Sequence, residues 1–212
     1  MTEPIVYCAD VGSVKNFGWA RLYPGSAEPE TGATIAGLVE GLIEDLRCGD
    51  LVALGFECPL WAPLPDKANE IGKVRPGEVV PGTRPRPWSA GAGALALTMG
   101  VAEVPWILRA VKREAAKSSA TLDWGDFRRG DNGVFLWEAF VTDKAKGQTH
   151  VDDARIGAEV FSRLSNPRTA DVCRDYEGNV ASLIGAALIR TGWSDDTALL
   201  SQRCVVIRAT AC

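Results

Sequence analysis

No stretch of this sequence is apolar for long enough to suggest a membrane span. A helix that crosses a bilayer needs roughly 20 consecutive apolar residues, and no run in the chain reaches that length. The opening residues, MTEPIVYCAD, show neither the basic nor the apolar region of a secretory signal peptide. We therefore expect a cytoplasmic protein with no membrane partner.

Cysteine pairs at metal-binding spacing are also missing. The six cysteines, at positions 8, 48, 58, 173, 204 and 212, include no CxxC pair. Cys8, Cys58 and Cys204 lie in or next to apolar strand patterns, where thiols usually pack as small hydrophobic groups. Reduced thiols are favoured over disulfides or a zinc site in a cytosolic protein.

The chain lacks the positive charge that is typical of dedicated nucleic-acid binders. Its formal net charge is −4, so any contact with nucleic acid must come from local basic patches and should be modest and salt-dependent. The length of 212 residues suits one domain with a substantial core.

The most informative segment that is present is ADVGSVKNFGWA, residues 9–20. IVYCAD predicts a buried strand that ends at Asp10, GSVKN predicts a turn, and FGWARLY predicts the returning strand. Gly18 leaves room on that second strand for a group packed against the acid. An ordinary hairpin whose aspartate satisfies its own turn is the alternative.

A second acid follows the same pattern in LVALGFECPLW. Leu51–Phe56 is typical of a central strand that is covered on both faces, yet the strand ends at Glu57. If the two strands are adjacent and parallel, Asp10 and Glu57 point to one place. Such paired carboxylates suit magnesium, a hard ion that prefers oxygen ligands.

Two further segments carry candidate site residues. Glu138 lies in the apolar strand pattern FLWEAFV, where an acid indicates a site or a salt-bridged edge position. In HVDDAR, His150 and Asp153 are three residues apart and share a helix face. The alternative for these aspartates is a helix N-terminus, where negative charge is favourable without any catalytic role.

Basic residues indicate where a substrate could bind. Residues 62–87 form a Pro/Gly-rich insertion that we predict to be a mobile flap outside the core, and Arg84, Arg86 and Trp88 lie at its end. Lys112 and Arg113 belong to a stripe of basic residues at near-helical spacing, which could contact phosphates. The alternative is an ordinary helix face in contact with solvent. We assign these five residues to substrate binding.

The remaining periodicity gives a coarse outline of the fold. Apolar spacing predicts helices over 34–47, over 89–117 with a break near Gly100 or Pro105, and over 151–164 and 179–191. It predicts strands over Gly133–Val141 and in RCVVIRAT, and it shows no clear third antiparallel strand after the hairpin.

These motifs resemble a known family. ADVGSVKNFGWA looks like the opening hairpin of the RNase H-like superfamily, especially its RuvC-type resolvases, and GFECPLW is similar to that superfamily's second acidic strand. The order of WSAGAGALAL, FLWEAFVT, HVDDARIGAEVF and SLIGAALIRTGW resembles the bacterial family of predicted RNase H-like nucleases. The resemblance implies one α/β domain, with a mixed β-sheet flanked by α-helices and a carboxylate site for divalent metal.

It also implies a metal-dependent nuclease that acts on DNA or RNA. Asp10 would bridge two Mg²⁺ or Mn²⁺ ions about 4 Å apart, and Glu57 and Asp153 would each hold one. Glu138 or His150 would complete the site or assist proton transfer.

Three points stay open at this stage. The superfamily's last helix is also similar to EGNVASLIGAAL, in which Ala181 or Ser182 stands where an aspartate is expected. Either the last site acid comes from the HVDDAR helix, or Glu177 and Asn179 substitute for it weakly, or the site is incomplete. Nucleotide or partner binding without cleavage, on an actin-like or RNase H-like fold, is the alternative function. A homodimer is compatible with the sequence.

Overall fold

A mixed sheet of seven strands runs through the part of the chain that the computed structural model describes, residues 3–79, 87–130 and 132–209. The strands in chain order are β1 (Ile5–Asp10), β2 (Gly18–Leu22), β3 (Glu30–Gly32), β4 (Leu51–Glu57), β5 (Trp61–Pro63), β6 (Ser119–Thr121), β7 (Gly133–Phe140), β8 (Val180–Ser182) and β9 (Val206–Arg208). The main sheet has the order β3-β2-β1-β4-β7, and β6 and β9 pair with successive parts of β7. Strands β5 and β8 form a separate antiparallel pair.

Helices cover both faces of the sheet. They are α1 (Ile35–Cys48), α2 (Gly91–Glu114), α3 (Trp124–Arg129), α4 (His150–Ser162), α5 (Pro167–Ala170) and α6 (Leu183–Arg190). Helices α1, α2 and α6 pack on one face, and α3 and α4 pack on the other. The α/β class, the mixed sheet and the single domain expected from the sequence are confirmed.

The centre of the sheet is parallel, and this sets the position of the acids. β1 pairs with β4 in a register that places Asp10 opposite Glu57, and β4 pairs with β7 so that Phe56 lies opposite Glu138. Because side chains alternate along a strand, Asp10 and Glu57 point to the α4 face of the sheet. Glu138 points to the opposite face.

The outline drawn from the sequence omits the short elements β5, β6, α3 and α5, and it differs from the structure in three further places. A third antiparallel strand does exist, but β3 has only three residues, which are polar and largely exposed, so no apolar pattern marks it. Helix α2 is not broken: Val104, Ile107 and Leu108 are buried around Pro105 and hold the helix together across it. The predicted helix over 179–191 begins as strand β8.

The insertion is not wholly a flap outside the core, contrary to our prediction. It contains short 3₁₀ turns at Ala68–Glu70 and Pro76–Glu78, and Arg75 and Glu78 are among the buried residues. Burial of an arginine with its carboxylate partners ties this segment to the sheet. Arg84 and Arg86 lie outside the described residues, so their proposed contacts stay predictions.

Helix α2 is the one described helix that is long and apolar enough to cross a membrane by length and composition. It contributes buried residues, including Ile107 and Leu108, to the core shared with α1 and α6. This packing makes α2 a helix of the globular domain. The cytoplasmic location itself stays a prediction.

Candidate metal centre and adjoining pocket

Three buried or half-buried carboxyl groups meet at the C-terminal edge of the parallel strands. β1 and β4 bring Asp10 and Glu57 side by side, and the first turn of α4 adds Asp153 from above the sheet. One carboxylate oxygen from each residue lies within 4.8 Å of the others. This set of oxygens is able to ligate a metal ion.

The start of α4 is fixed by its cap and by a glycine beneath it. Thr149 caps the helix in a capping box with Asp152. A Cβ atom on Gly18 would lie 2.3 Å from the backbone of His150 and Val151, so only glycine lets α4 come this close to β2. The room that the sequence predicted beside Asp10 is filled by this helix end.

His150 contacts Asp10 directly. Its Nδ1 lies 2.6 Å from Asp10 Oδ2, while the imidazole is 40 % exposed. Since Asp10 fixes the Nδ1 side of the ring, Nε2 is left for another partner. The hydrogen bond orients the only histidine of the chain at the edge of the carboxylate cluster.

A lysine that the sequence reasoning missed completes the cluster. Lys146 Nζ lies 2.7 Å from Asp153 Oδ2 and 4.0 Å from Glu57 Oε1, and the Gly147 amide donates to Asp153 Oδ1 at 2.7 Å. Lys146 belongs to the loop between β7 and α4. The one available signal was its place four residues before His150 in the chain.

Burial controls the protonation of the cluster. It raises the pKa of Asp10 to about 6, against the opposing effects of a hydrogen bond with Glu57 and the charge of Lys146. Burial also raises the pKa of Glu57 well above its usual range, and the adjacent Asp10 carboxyl raises it further. The metal-free pair therefore tends to retain a proton between the two carboxyl groups.

Glu138 lies near the cluster but is bound to another group. Arg75 donates two hydrogen bonds to it, at 2.9 and 2.6 Å, and the Leu60 amide donates a third at 3.0 Å. Arg75 also donates to Glu78 at 2.8 Å and lies over the ring of Trp61. Glu138 thus anchors the insertion on the α2 face of the sheet.

A pocket with a volume of about 320 Å³ adjoins the carboxylates. Its walls include Asp10, Glu57 and His150 on one side and the first half of α2 on the other. Of the predicted substrate-binding residues, Trp88 lines this pocket. The pocket gives a small ligand access to the carboxylate cluster.

Other predicted residues are not brought together with the cluster. Lys112 donates to the carbonyl oxygens of Ala116 and Ser118 at the C-terminal end of α2. With a rise of 1.5 Å per residue, this end is about 20 Å along the axis from Met99, which lines the pocket. Arg113 follows Lys112 at the same end of the helix. Glu177 is exposed and is not part of the carboxylate cluster in the described residues.

A fourth carboxyl group, Glu103 of α2, is buried with no hydrogen-bond partner for either oxygen among the described residues. Burial raises its pKa to about 7. In an unfolded chain a glutamate titrates near 4.3. Between these two pH values the folded protein binds more protons than the unfolded chain, so stability falls as the pH rises.

We expect the Glu103→Gln variant to be more stable than the parent protein at pH 8, by roughly 2 kcal/mol, and similar to it at pH 4.5. Urea unfolding at both pH values, with EDTA present, measures the difference. Glu40→Gln, at an exposed glutamate of α1, is the control and should change neither value. Parallel pH profiles for the parent protein and Glu103→Gln would contradict the role of this carboxyl group.

Comparison with known proteins does not assign this chain to a family, so its function must be inferred from the geometry of the site. No protein-family model, curated protein or solved structure matches the chain. The resemblance of its motifs to the RNase H-like superfamily therefore stays a hypothesis. What stands without it is a mixed α/β domain with a carboxylate cluster beside a pocket.

Proposed function

We propose that this protein is a divalent-metal-dependent phosphodiesterase that hydrolyses nucleic acid, with Mg²⁺ or Mn²⁺ as its ion. The observation that carries the proposal is the convergence of Asp10, Glu57 and Asp153 at the edge of a pocket. Carboxylate oxygens are the preferred ligands of these hard ions. The RNase H-like motifs in the sequence favour the same chemistry.

The charges around the cluster fit a cation. Among the described residues, the three carboxyl groups face one ammonium group, that of Lys146, and the imidazole of His150. Asp10 and Asp153 are nearly inaccessible to solvent, and the side chain of Glu57 is 15 % exposed. Negative charge in such a setting is unfavourable unless it is protonated or neutralised by a cation.

In this proposal Asp10, Glu57 and Asp153 would hold the ion through their carboxylate oxygens. A bound ion of this kind activates water and stabilises negative charge on a phosphoryl group. His150, oriented through Nδ1 by Asp10, would accept through Nε2 the proton that the attacking water releases. Lys146, whose ammonium lies 2.7 Å from Asp153 Oδ2, would donate to a phosphate oxygen of the substrate. Glu138 has no direct role, since Arg75 and Leu60 occupy its oxygens.

We expect Asp153→Asn to lower metal-dependent cleavage by tenfold or more. The substitution keeps the size of the side chain and removes one anionic ligand. Cleavage of labelled DNA and RNA oligonucleotides, with Mn²⁺, with Mg²⁺ or with EDTA, measures the effect. The neighbouring Asp152→Asn is the matched control, because Asp152 is half-buried, serves the helix cap and is not one of the three clustered carboxylates.

Glu177→Gln separates the two candidate helices and should leave cleavage almost unchanged. A larger loss in Glu177→Gln than in Asp153→Asn would move the site to the later helix. Metal binding without cleavage of any oligonucleotide would favour the alternative, nucleotide or partner binding on the same fold. A parent protein that binds no divalent metal would end the proposal.

A further inference from the structure

The pocket beside the carboxylates has one charged side and one apolar side. Leu95, Ala96 and Met99 line it from the first half of α2, and Phe140 and Val141 line it where β7 ends. Its volume of about 320 Å³ is at the lower end of the range for small-molecule sites. A ligand that fills it therefore combines a group for the carboxylate side with a compact apolar part.

Trp88 supplies a fixed aromatic ring at this pocket. Its backbone amide donates to Glu78 Oε1 at 2.9 Å, and its indole Nε1 donates to the carbonyl oxygen of Lys73 at 3.0 Å. Glu78 is in turn held by the buried Arg75. These contacts fix the ring before any ligand arrives, and a fixed ring stacks on a planar ligand with little loss of conformational entropy.

Thr142 adds an unsatisfied polar group to the same pocket. Its side chain is 6 % exposed and lines the pocket, and its Oγ1 is buried without a hydrogen-bond partner in the described part of the chain. A buried hydroxyl without a partner is unfavourable. Because this hydroxyl is enclosed by protein, a ligand with polar groups on its edge would satisfy it once the Thr142 side chain rotates toward the pocket, whereas a purely aliphatic ligand would not.

We infer that this pocket binds one unpaired nucleobase of the substrate, with the attached phosphate at the carboxylate cluster. The inference rests on the proposed phosphodiesterase function and names its substrate class. A planar heterocycle has faces for Trp88 and the apolar wall and a polar edge for Thr142. A base inside a duplex is paired and stacked, so the substrate is a single strand.

The binding test compares ligands with and without a base. In isothermal titration with Mg²⁺ present, adenosine 5′-monophosphate should bind at least tenfold more tightly than ribose 5-phosphate. Adenosine should also bind more tightly than ribose when EDTA replaces the metal. Equal affinities within both pairs would overturn the inference.

Variants locate the base within the molecule. Trp88→Ala should weaken binding of adenosine 5′-monophosphate about tenfold, which lies within the range for base stacking on an aromatic side chain, and should leave ribose 5-phosphate unaffected. Trp88→Phe should retain most of the preference. Trp106→Ala is the matched control, because this tryptophan of α2 is 48 % exposed and is not a lining residue of the pocket.

A steric variant gives a second route if Trp88→Ala fails to fold. Ala96→Phe places a ring inside the pocket and should abolish the preference for adenosine without changing Mn²⁺ affinity. An unchanged preference in Ala96→Phe would overturn the inference as well.

A competition experiment between nucleic acids shows whether the bound base comes from a single strand or from a duplex. A single-stranded oligonucleotide should displace adenosine 5′-monophosphate, and the same sequence in a duplex should displace it at least tenfold less well. No displacement by the single strand would contradict a base that belongs to a nucleic-acid substrate. Equal displacement by single strand and duplex would contradict an unpaired base.

The base pocket and the phosphodiesterase activity are tested by separate outcomes. Adenosine binding without metal binding would retain the base pocket and reject the phosphodiesterase. Metal-dependent cleavage without any preference for a base would retain the enzyme and reject the pocket.

Discussion

Asp10→Asn is expected to abolish binding of Mn²⁺, with a loss of affinity of at least about 100-fold. Asp10 lies between two other groups of the site. It is opposite Glu57 in the sheet, and its Oδ2 is in hydrogen-bond contact with His150 Nδ1. Substitution of supporting residues around a metal typically costs 10–100-fold in affinity, and removal of an anionic ligand should exceed this. Asparagine keeps the size of the side chain and provides only a neutral oxygen.

The fold should survive this substitution. Burial raises the pKa of Asp10 to about 6, so the ionised carboxylate lowers the stability of the metal-free protein at pH 8. Asp10→Asn should therefore melt at the same temperature as the parent protein or higher when EDTA is present. Isothermal titration with Mn²⁺ gives the affinity, and Asp195→Asn, at an exposed aspartate, is the control. An unchanged affinity in Asp10→Asn would remove this residue from the site.

The carboxylate cluster could be predicted from the sequence because its members follow simple rules. Asp10 and Glu57 each end a short apolar strand, and parallel strands end at the same edge of a sheet. Asp153 follows a helix-start pattern three residues after His150. The local sequence therefore predicts whether each element is a strand or a helix and where it ends. The topology of the sheet then brings the carboxyl groups together.

The position of Glu138 could not be predicted in the same way. In the pairing of β4 with β7, the residue opposite Glu138 is Phe56 and not Glu57. The side chain of Glu138 therefore points to the face of the sheet away from Asp10. A shift of one residue in the register would place it on the other face of the sheet. Nothing within FLWEAFV specifies that register, since both faces of this strand are buried.

The contacts of Arg75 and Lys146 also could not be predicted from the local sequence. Arg75 lies in a segment rich in proline and glycine, 63 residues before its partner Glu138, and the same composition is typical of a flexible loop. Lys146 lies in a loop whose course depends on how α4 packs against β2. In both cases the tertiary contact decides the position of a charged side chain that composition alone would leave in solvent.

Arg75→Met is expected to lower the free energy of unfolding by about 3–5 kcal/mol. The guanidinium is 1 % exposed and contacts both Glu138 and Glu78, so its removal leaves two buried carboxylates without their cation. For a domain of this size the loss corresponds to a fall in melting temperature of roughly 10 °C. Thermal melts monitored by circular dichroism measure it, and limited proteolysis should show faster cleavage within residues 62–79.

Two comparisons separate the buried charge from packing in this variant. Arg75→Met combined with Glu138→Gln should recover at least half of the loss, because the second substitution removes one of the unpaired charges. Arg47→Met breaks an exposed ion pair with Glu114 and should change stability by less than about 1 kcal/mol. A parent-like melting temperature for Arg75→Met, with unchanged proteolysis, would mean that the insertion is not held by this ion pair and would restore the mobile flap as its description.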